Sequence, residues 1–146
     1  QRASIVAETL AVLNDPRFAP LFGPDGRAEV PIVTEIANPK RGGPPLVING
    51  QIDRLARVGN DVVIVDYKTN RPPPLALEGV AAAYLFQLAA YRLGVSRIFP
   101  GHGVRAAILW TETPRIMEIP ALILDQYQSR IWELEALSLD ARSATT

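Results

Sequence analysis

Cysteine is absent from the 146-residue chain. That removes disulfides, thiolate zinc sites, cysteine-ligated iron–sulfur clusters and cysteine nucleophiles at once. Histidine occurs only at position 102, so metal-independent phosphoester chemistry finds neither a thiol nor a well-placed imidazole. Charge of either sign is not in excess: 15 basic residues face 15 acidic ones, for a formal net charge of zero. A dedicated nucleic-acid-binding module is usually basic, so any such role needs positive charge from metal ions or a neighbouring domain. No apolar run approaches the ~20 residues of a membrane span, and no signal peptide is visible. No membrane partner is therefore expected, and a reducing cytoplasm is the expected location.

What remains is an ordinary globular composition, 48% hydrophobic and 21% charged, at a length that suits one domain with a substantial core. Residues 1–146 are read as that single domain, with 141–146 as a frayed tail. The chain begins with Gln1 rather than Met and is expected to be a fragment of something longer.

Ile5, Val6, Thr9, Leu10 and Leu13 recur at helical spacing, so a first helix is expected over Ser4–Leu13, stopped by Asn14-Asp15-Pro16. Arg27–Ala37 is β-rich, and its Pro31 suits an edge strand or a bulge. NPKRGGPP, Asn38–Pro45, is a loop by composition. Leu46–Val58 and Asp61–Thr69 read as strands joined at Gly59-Asn60, a favoured hairpin pair. Three prolines, Pro72–Pro74, break the chain. Gly79–Leu93 reads as a helix, Phe99–Gly103 as a loop, and Val104–Glu112 as a strand with Arg115–Ile119 as its short partner. Ala121–Leu137 closes the chain as a helix with Ile123, Tyr127, Ile131 and Leu134 on one face. The order α-β-β-β-α-β, with a trailing strand and helix, implies an α/β sandwich around one mixed sheet.

The stretch VVIVDYKTN, Val62–Asn70, carries the chemistry. Four consecutive apolar residues predict a strand buried on both faces, yet it ends in Asp66 and Lys68, which share a face because side-chain direction has period two. With a two-residue turn at Gly59-Asn60, Val58 pairs with Asp61 and Asp53 lies opposite Asp66. Facing carboxylates there are ~4.5–5.5 Å apart at Cβ and repel, which calls for a proton or a cation between them. Lys68 sits opposite Gln51 and cannot neutralise both. Hard oxygen ligands favour Mg²⁺ or Mn²⁺. A three-residue turn would instead send the two acids to opposite faces. Pairing of Asp53 with Arg54 or Arg57, and of Asp66 with Lys68, at a solvated strand end is the plainer alternative.

Gly50-Gln51-Ile52-Asp53, then Asp66-Tyr67-Lys68, then Gln87-Leu88-Ala89-Ala90-Tyr91 together resemble the PD-(D/E)xK nuclease superfamily in its RecB-like branch. The strings QIDRLARV, IVDYKTNRPPP, QLAAYR, IFPG and ILWTETPRIMEIP are similar to the C-terminal nuclease domain of AddA-type helicase–nuclease subunits of double-strand-break repair. The lack of cysteine fits that subunit better than its AddB-type partner. The resemblance implies a restriction-endonuclease-like core and an Mg²⁺-dependent (or Mn²⁺-dependent) DNA exonuclease. It further implies upstream helicase domains that alone use ATP, and an AddB-type partner subunit. It makes Asp53 and Asp66 metal ligands with the Tyr67 carbonyl, and Lys68 the residue that positions the attacking water. Gln87 and Tyr91 would touch the site or the DNA backbone, with Glu29 as an extra acid. The family's metal-ligating histidine from an early helix has no counterpart here; Glu8 is the substitute within reach. Lys40, Arg41, Arg54, Arg57 and Arg71 form a basic set that could track phosphates, and Arg54 is its member nearest the site. Trp110 and Trp132 read as core residues before they read as base-stacking platforms.

A nuclease fold kept only for DNA binding or subunit docking is the competing reading. Intact Asp53, Asp66 and Lys68 speak against it.

Overall fold

Strand β3 (Asp61–Lys68) is the axis on which the rest is arranged. Its Val62, Val63, Ile64 and Val65 are fully buried, as an uninterrupted apolar run requires when both faces of a strand are covered. A computed structural model describes residues 14–69 and 72–133; the expected first helix over Ser4–Leu13, and Glu8 within it, lie outside the described residues. Strands β1 (Arg27–Ile36) and β2 (Leu46–Val58) flank β3 on one side. Strands β4 (Gly103–Trp110) and β5 (Arg115–Ile119) flank it on the other. The sheet order is β1-β2-β3-β4-β5. Only β3 and β4 are parallel, and helix α1 (Ala82–Ile98) makes the crossover between them. The result is a mixed five-stranded α/β sheet flanked by helices, with strand boundaries within two residues of those expected. Pro31 falls on the edge strand β1, where its missing N–H is tolerated.

Two layers of core follow. On one face, Ile32, Ile48, Val62, Ile64, Ala106 and Ile108 pack with α1 and with helix α2 (Ala121–Gln128). On the other, Phe18 and Leu21, in and beside a short 3₁₀ turn over Ala19–Phe22, cover Ala56, Val63, Val65 and Ala107. Both tryptophans pack with the helix-side core: Trp110 is fully buried in it and Trp132 lies against it.

Both helices depart from their expected bounds. Helix α1 starts at Ala82 rather than Gly79, because Leu77–Gly79 forms a 3₁₀ turn and Val80 and Ala81 are extended. It runs past Gly94 to Ile98 because that glycine is a contact and not a stop. A Cβ there would lie 2.8 Å from Ile32 Cδ1, so its absence lets the helix settle on the sheet. The final helix ends at Gln128 rather than Leu137; Ile131–Glu133 is a separate 3₁₀ turn. The Ser129 hydroxyl donates to the Gln126 carbonyl at that break, and the turn delivers Ile131 fully into the core. Leu134 lies outside the described residues.

Candidate active site

The hairpin has the two-residue turn. Val58 pairs with Asp61, and the register runs through Leu55–Ile64 to Arg54–Val65. Asp53 and Asp66 are the next residues on each strand, and there the regular pairing gives way to a side chain. The Tyr67 main-chain N–H donates to Asp53 Oδ2 at 2.7 Å.

The same point marks a slip in β2. Ile48 and Ile52 face the helix-side core, but so does Leu55, while Ala56 joins the opposite layer. Strict alternation over this strand would have put Ile52 and Leu55 on opposite faces. In β1 the matching break is Glu29, which lies between the registered pairs Ala28–Arg54 and Val30–Ile52 and adopts φ +54°, a left-handed conformation uncommon outside glycine. A local irregularity at neighbouring positions of two strands thus coincides with the acidic pair, as irregularities near active sites commonly do.

On the helix side, Asp66, Lys68 and Gln87 are all buried. Lys68 Nζ lies 3.6 Å from Asp66 Oδ2, donates to Gln87 Oε1 at 2.7 Å, and sits 4.5 Å from the centre of the Tyr84 ring. The Lys68 carbonyl accepts from the Thr111 main chain at 2.9 Å, which fixes the strand end. Neither Asp66 oxygen has a hydrogen-bond partner among the described residues. Burial pushes the Asp66 carboxyl up to about 7; Lys68 pulls it down and Asp53 pushes it further up. Burial also raises the Tyr91 hydroxyl to about 12, with Asp66 and Asp53 adding to the shift and the Gln51 main chain and Gln87 opposing it. Those interactions place Tyr91 in the same cluster. A Cβ on Gly50 would lie 2.5 Å from the Tyr91 hydroxyl, so glycine at the head of the G-x-x-D string is required by this close approach.

The structure therefore brings Asp53, Asp66, Lys68, Gln87 and Tyr91 together. It does not bring in Arg54, which lies on the opposite face, donating to the Tyr67 hydroxyl at 3.0 Å and the Leu21 carbonyl at 2.7 Å. Glu29 is exposed on β1, beside Asp53 in the ladder. The Tyr67 side chain points to the Arg54 face, so only its main chain is available to the site. His102 sits at the other end of the sheet, where Arg57 Nη2 approaches its Nε2 at 2.9 Å. Sequence reasoning missed Tyr84. The signal existed: Tyr84, Gln87 and Tyr91 stand at i, i+3 and i+7, one helical face.

The Asp53 and Asp66 carboxylates are oxygen donors of the kind that suit a hard divalent cation. The orphaned Asp66 oxygens fit such a cation, since buried acceptors otherwise go unpaired at considerable cost. Among the described residues no group of three or more His, Cys, Asp or Glu side chains gathers around the site.

The family's sequence model, the PD-(D/E)XK nuclease superfamily, matches residues 7–143. The chain belongs to the PD-(D/E)XK nuclease superfamily. Members of this nuclease superfamily typically use divalent metals, and the fold implies nucleic-acid binding. A solved structure titled "Crystal structure of SSO0001" is similar at 19% identity and a TM-score of 0.46, covering 81% of this chain. The chain spans about half of that structure, 55% of its length. No curated protein matches the chain. Among the described residues no helix is long and apolar enough to cross a membrane.

Proposed function

We propose that this PD-(D/E)XK chain is an Mg²⁺-dependent DNA nuclease that hydrolyses phosphodiester bonds at Asp53, Asp66 and Lys68. The observation that carries the reading is the meeting of two carboxylates and an ammonium at the end of a buried strand, with neither Asp66 oxygen hydrogen-bonded among the described residues. Asp53 and Asp66, with the Tyr67 carbonyl, would hold the ion. A divalent cation there supplies Lewis-acid polarisation of the phosphate and a more acidic water. Lys68 places a fixed positive charge beside the reacting phosphate, where a preorganised cation in a dry site stabilises developing negative charge far better than in water. Gln87 and the Tyr84 ring hold Lys68 in that position. Tyr91, seated on Gly50, orders the β2 side of the site. Glu29 is an accessory acid at its edge.

The strings shared with AddA-type subunits support a finer reading: an exonuclease module of a cytoplasmic helicase–nuclease in double-strand-break repair. It would be a single domain joined to helicase domains that hydrolyse ATP and paired with an AddB-type subunit. One observation favours a second reading, a nuclease-fold module kept for DNA binding or docking: only two carboxylates converge on the site among the described residues.

The test uses linear single- and double-stranded DNA with Mg²⁺, with Mn²⁺ and with chelator. Cleavage that chelator and Asp66→Ala both abolish supports the nuclease. Binding without cleavage under every metal condition supports the docking module.

A further inference from the structure

The net charge is zero and the active site is acidic, so phosphate attraction has to come from local patches. Of the five basic residues in the set read from the sequence, the fold withdraws two. Arg54 is spent on Tyr67 and Leu21. Arg57 is tied to His102 at the far end of the sheet. Arg71 lies outside the described residues. Lys40 and Arg41 remain, both exposed, and neither has an ion pair or side-chain hydrogen bond among the described residues.

Their setting is organised. They crown the β1–β2 hairpin, whose last registered pair is Ile36–Leu46. Asn38 pins the tip from within: its Oδ1 accepts from the Lys40 main-chain N–H at 2.8 Å, and its Nδ2 donates to the Pro44 carbonyl at 3.0 Å. Gly42 takes φ +79° at the turn. The tip forms one wall of a cavity of about 470 Å³, whose other wall is Ser129, Trp132 and Glu133. Glu133 is the one carboxylate among its lining residues, against two cations.

Position matters as much as charge. Strand β2 runs antiparallel to β3, so its first half, with β1 alongside, extends past the end of β3 where Asp66 and Lys68 sit. Asp53 stands at the root of this overhang and the basic tip at its end. Seven residues separate Asp53 from Leu46, ~23 Å at the usual strand rise, or roughly seven phosphates of a stacked strand.

Resting on the nuclease reading, we propose that the Lys40–Arg41 tip and the Trp132 cavity beside it form a clamp. It holds the sugar-phosphate backbone of a nucleic-acid strand about seven nucleotides from the scissile phosphate. The cations bind phosphates, and the part-buried indole lines the cavity in which a base would sit.

The experiment measures binding of the whole chain to a fluorescently labelled 20-nucleotide single strand, in chelator, across a salt series. Each neutralised phosphate contributes about 0.7 to the slope of log affinity against log salt for single strands. K40A/R41A should lower that slope by roughly 1.4. Its affinity deficit should therefore shrink about sevenfold as salt rises from roughly 50 to 200 mM. Arg57→Ala, a control cation at the opposite end, should leave the slope unchanged. An unaltered slope in K40A/R41A, an equal drop per charge in Arg57→Ala, or no binding by the parent chain overturns the clamp. Because chelator removes catalysis from the measurement, the two readings fail separately. A chain whose slope drops in K40A/R41A but which never cleaves keeps the clamp and loses the nuclease. One that cleaves while the slope stays fixed does the reverse.

Discussion

Asp53→Asn isolates the repulsion on which the site is built. The amide oxygen can still accept from the Tyr67 N–H, so the 2.7 Å link is kept and only the charge is lost. Carboxylates facing each other across a strand pair at ~5 Å, with an effective dielectric of ~20, repel by about 3 kcal/mol. Asp53 is half-buried, and solvent screening reduces that to roughly 1–3 kcal/mol. The repulsion exists only when Asp66 is ionised. Burial first, with Asp53 adding to it, raises the Asp66 carboxyl to about 7, so Asp66 is largely protonated at pH 5 and largely charged at pH 8. In chelator, Asp53→Asn should therefore stabilise the chain by about 1–3 kcal/mol at pH 8 and by close to nothing at pH 5. Urea unfolding followed by tryptophan fluorescence from Trp110 and Trp132 reads both. The same variant should lose metal-dependent cleavage. An equal effect at both pH values, or destabilisation at pH 8, would refute the idea that the two acids confront each other.

Other outcomes follow from the same geometry. Because the folded-state Asp66 carboxyl titrates above its ordinary 3.8, its contribution to metal-free stability is complete at low pH and declines as pH rises from about 4 to about 7; urea titrations in chelator across that window should show the decline. Mg²⁺ must displace that proton, so thermal unfolding should show a larger Mg²⁺-induced rise in Tm at pH 8 than at pH 5.5; an equal or reversed shift contradicts the ligand assignment. Lys68→Met keeps much of the buried volume and removes the charge, and should cut cleavage about 10²–10³-fold with an unchanged circular-dichroism spectrum. Gly94→Ala should lower stability by about 1 kcal/mol, since overpacking against Ile32 outweighs the helix propensity gained; a stabilised variant would show that the helix does not need that close approach.

Much of this was legible in the residues. The unbroken run Val62–Val65 announced a strand covered on both faces. Gly59-Asn60 announced the hairpin and its register, and the two-residue period of a strand put Asp66 and Lys68 on one side. Each of these is local: backbone preference, turn chemistry and side-chain alternation act over a few residues and leave a mark in the string. The helix ends were less legible, because Gly94 looks like a stop until Ile32 and Ile48 are seen beneath it.

Tertiary packing alone decided the rest. Nothing in GQID reveals that β2 slips its alternation there, or that Glu29 takes a left-handed turn beside Asp53. With that irregularity, Ile48, Ile52 and Leu55 all reach the helix-side core while Ala56 joins the opposite layer. Packing of α1 also set Gln87 and Tyr84 against Lys68, and burial under that helix lifted the Asp66 carboxyl. It likewise sorted Arg54 and Arg57, held by neighbours, from Lys40 and Arg41, which have no side-chain partner among the described residues at the hairpin tip. Contacts between residues far apart in sequence fix such things, and periodicity within one segment carries no record of them.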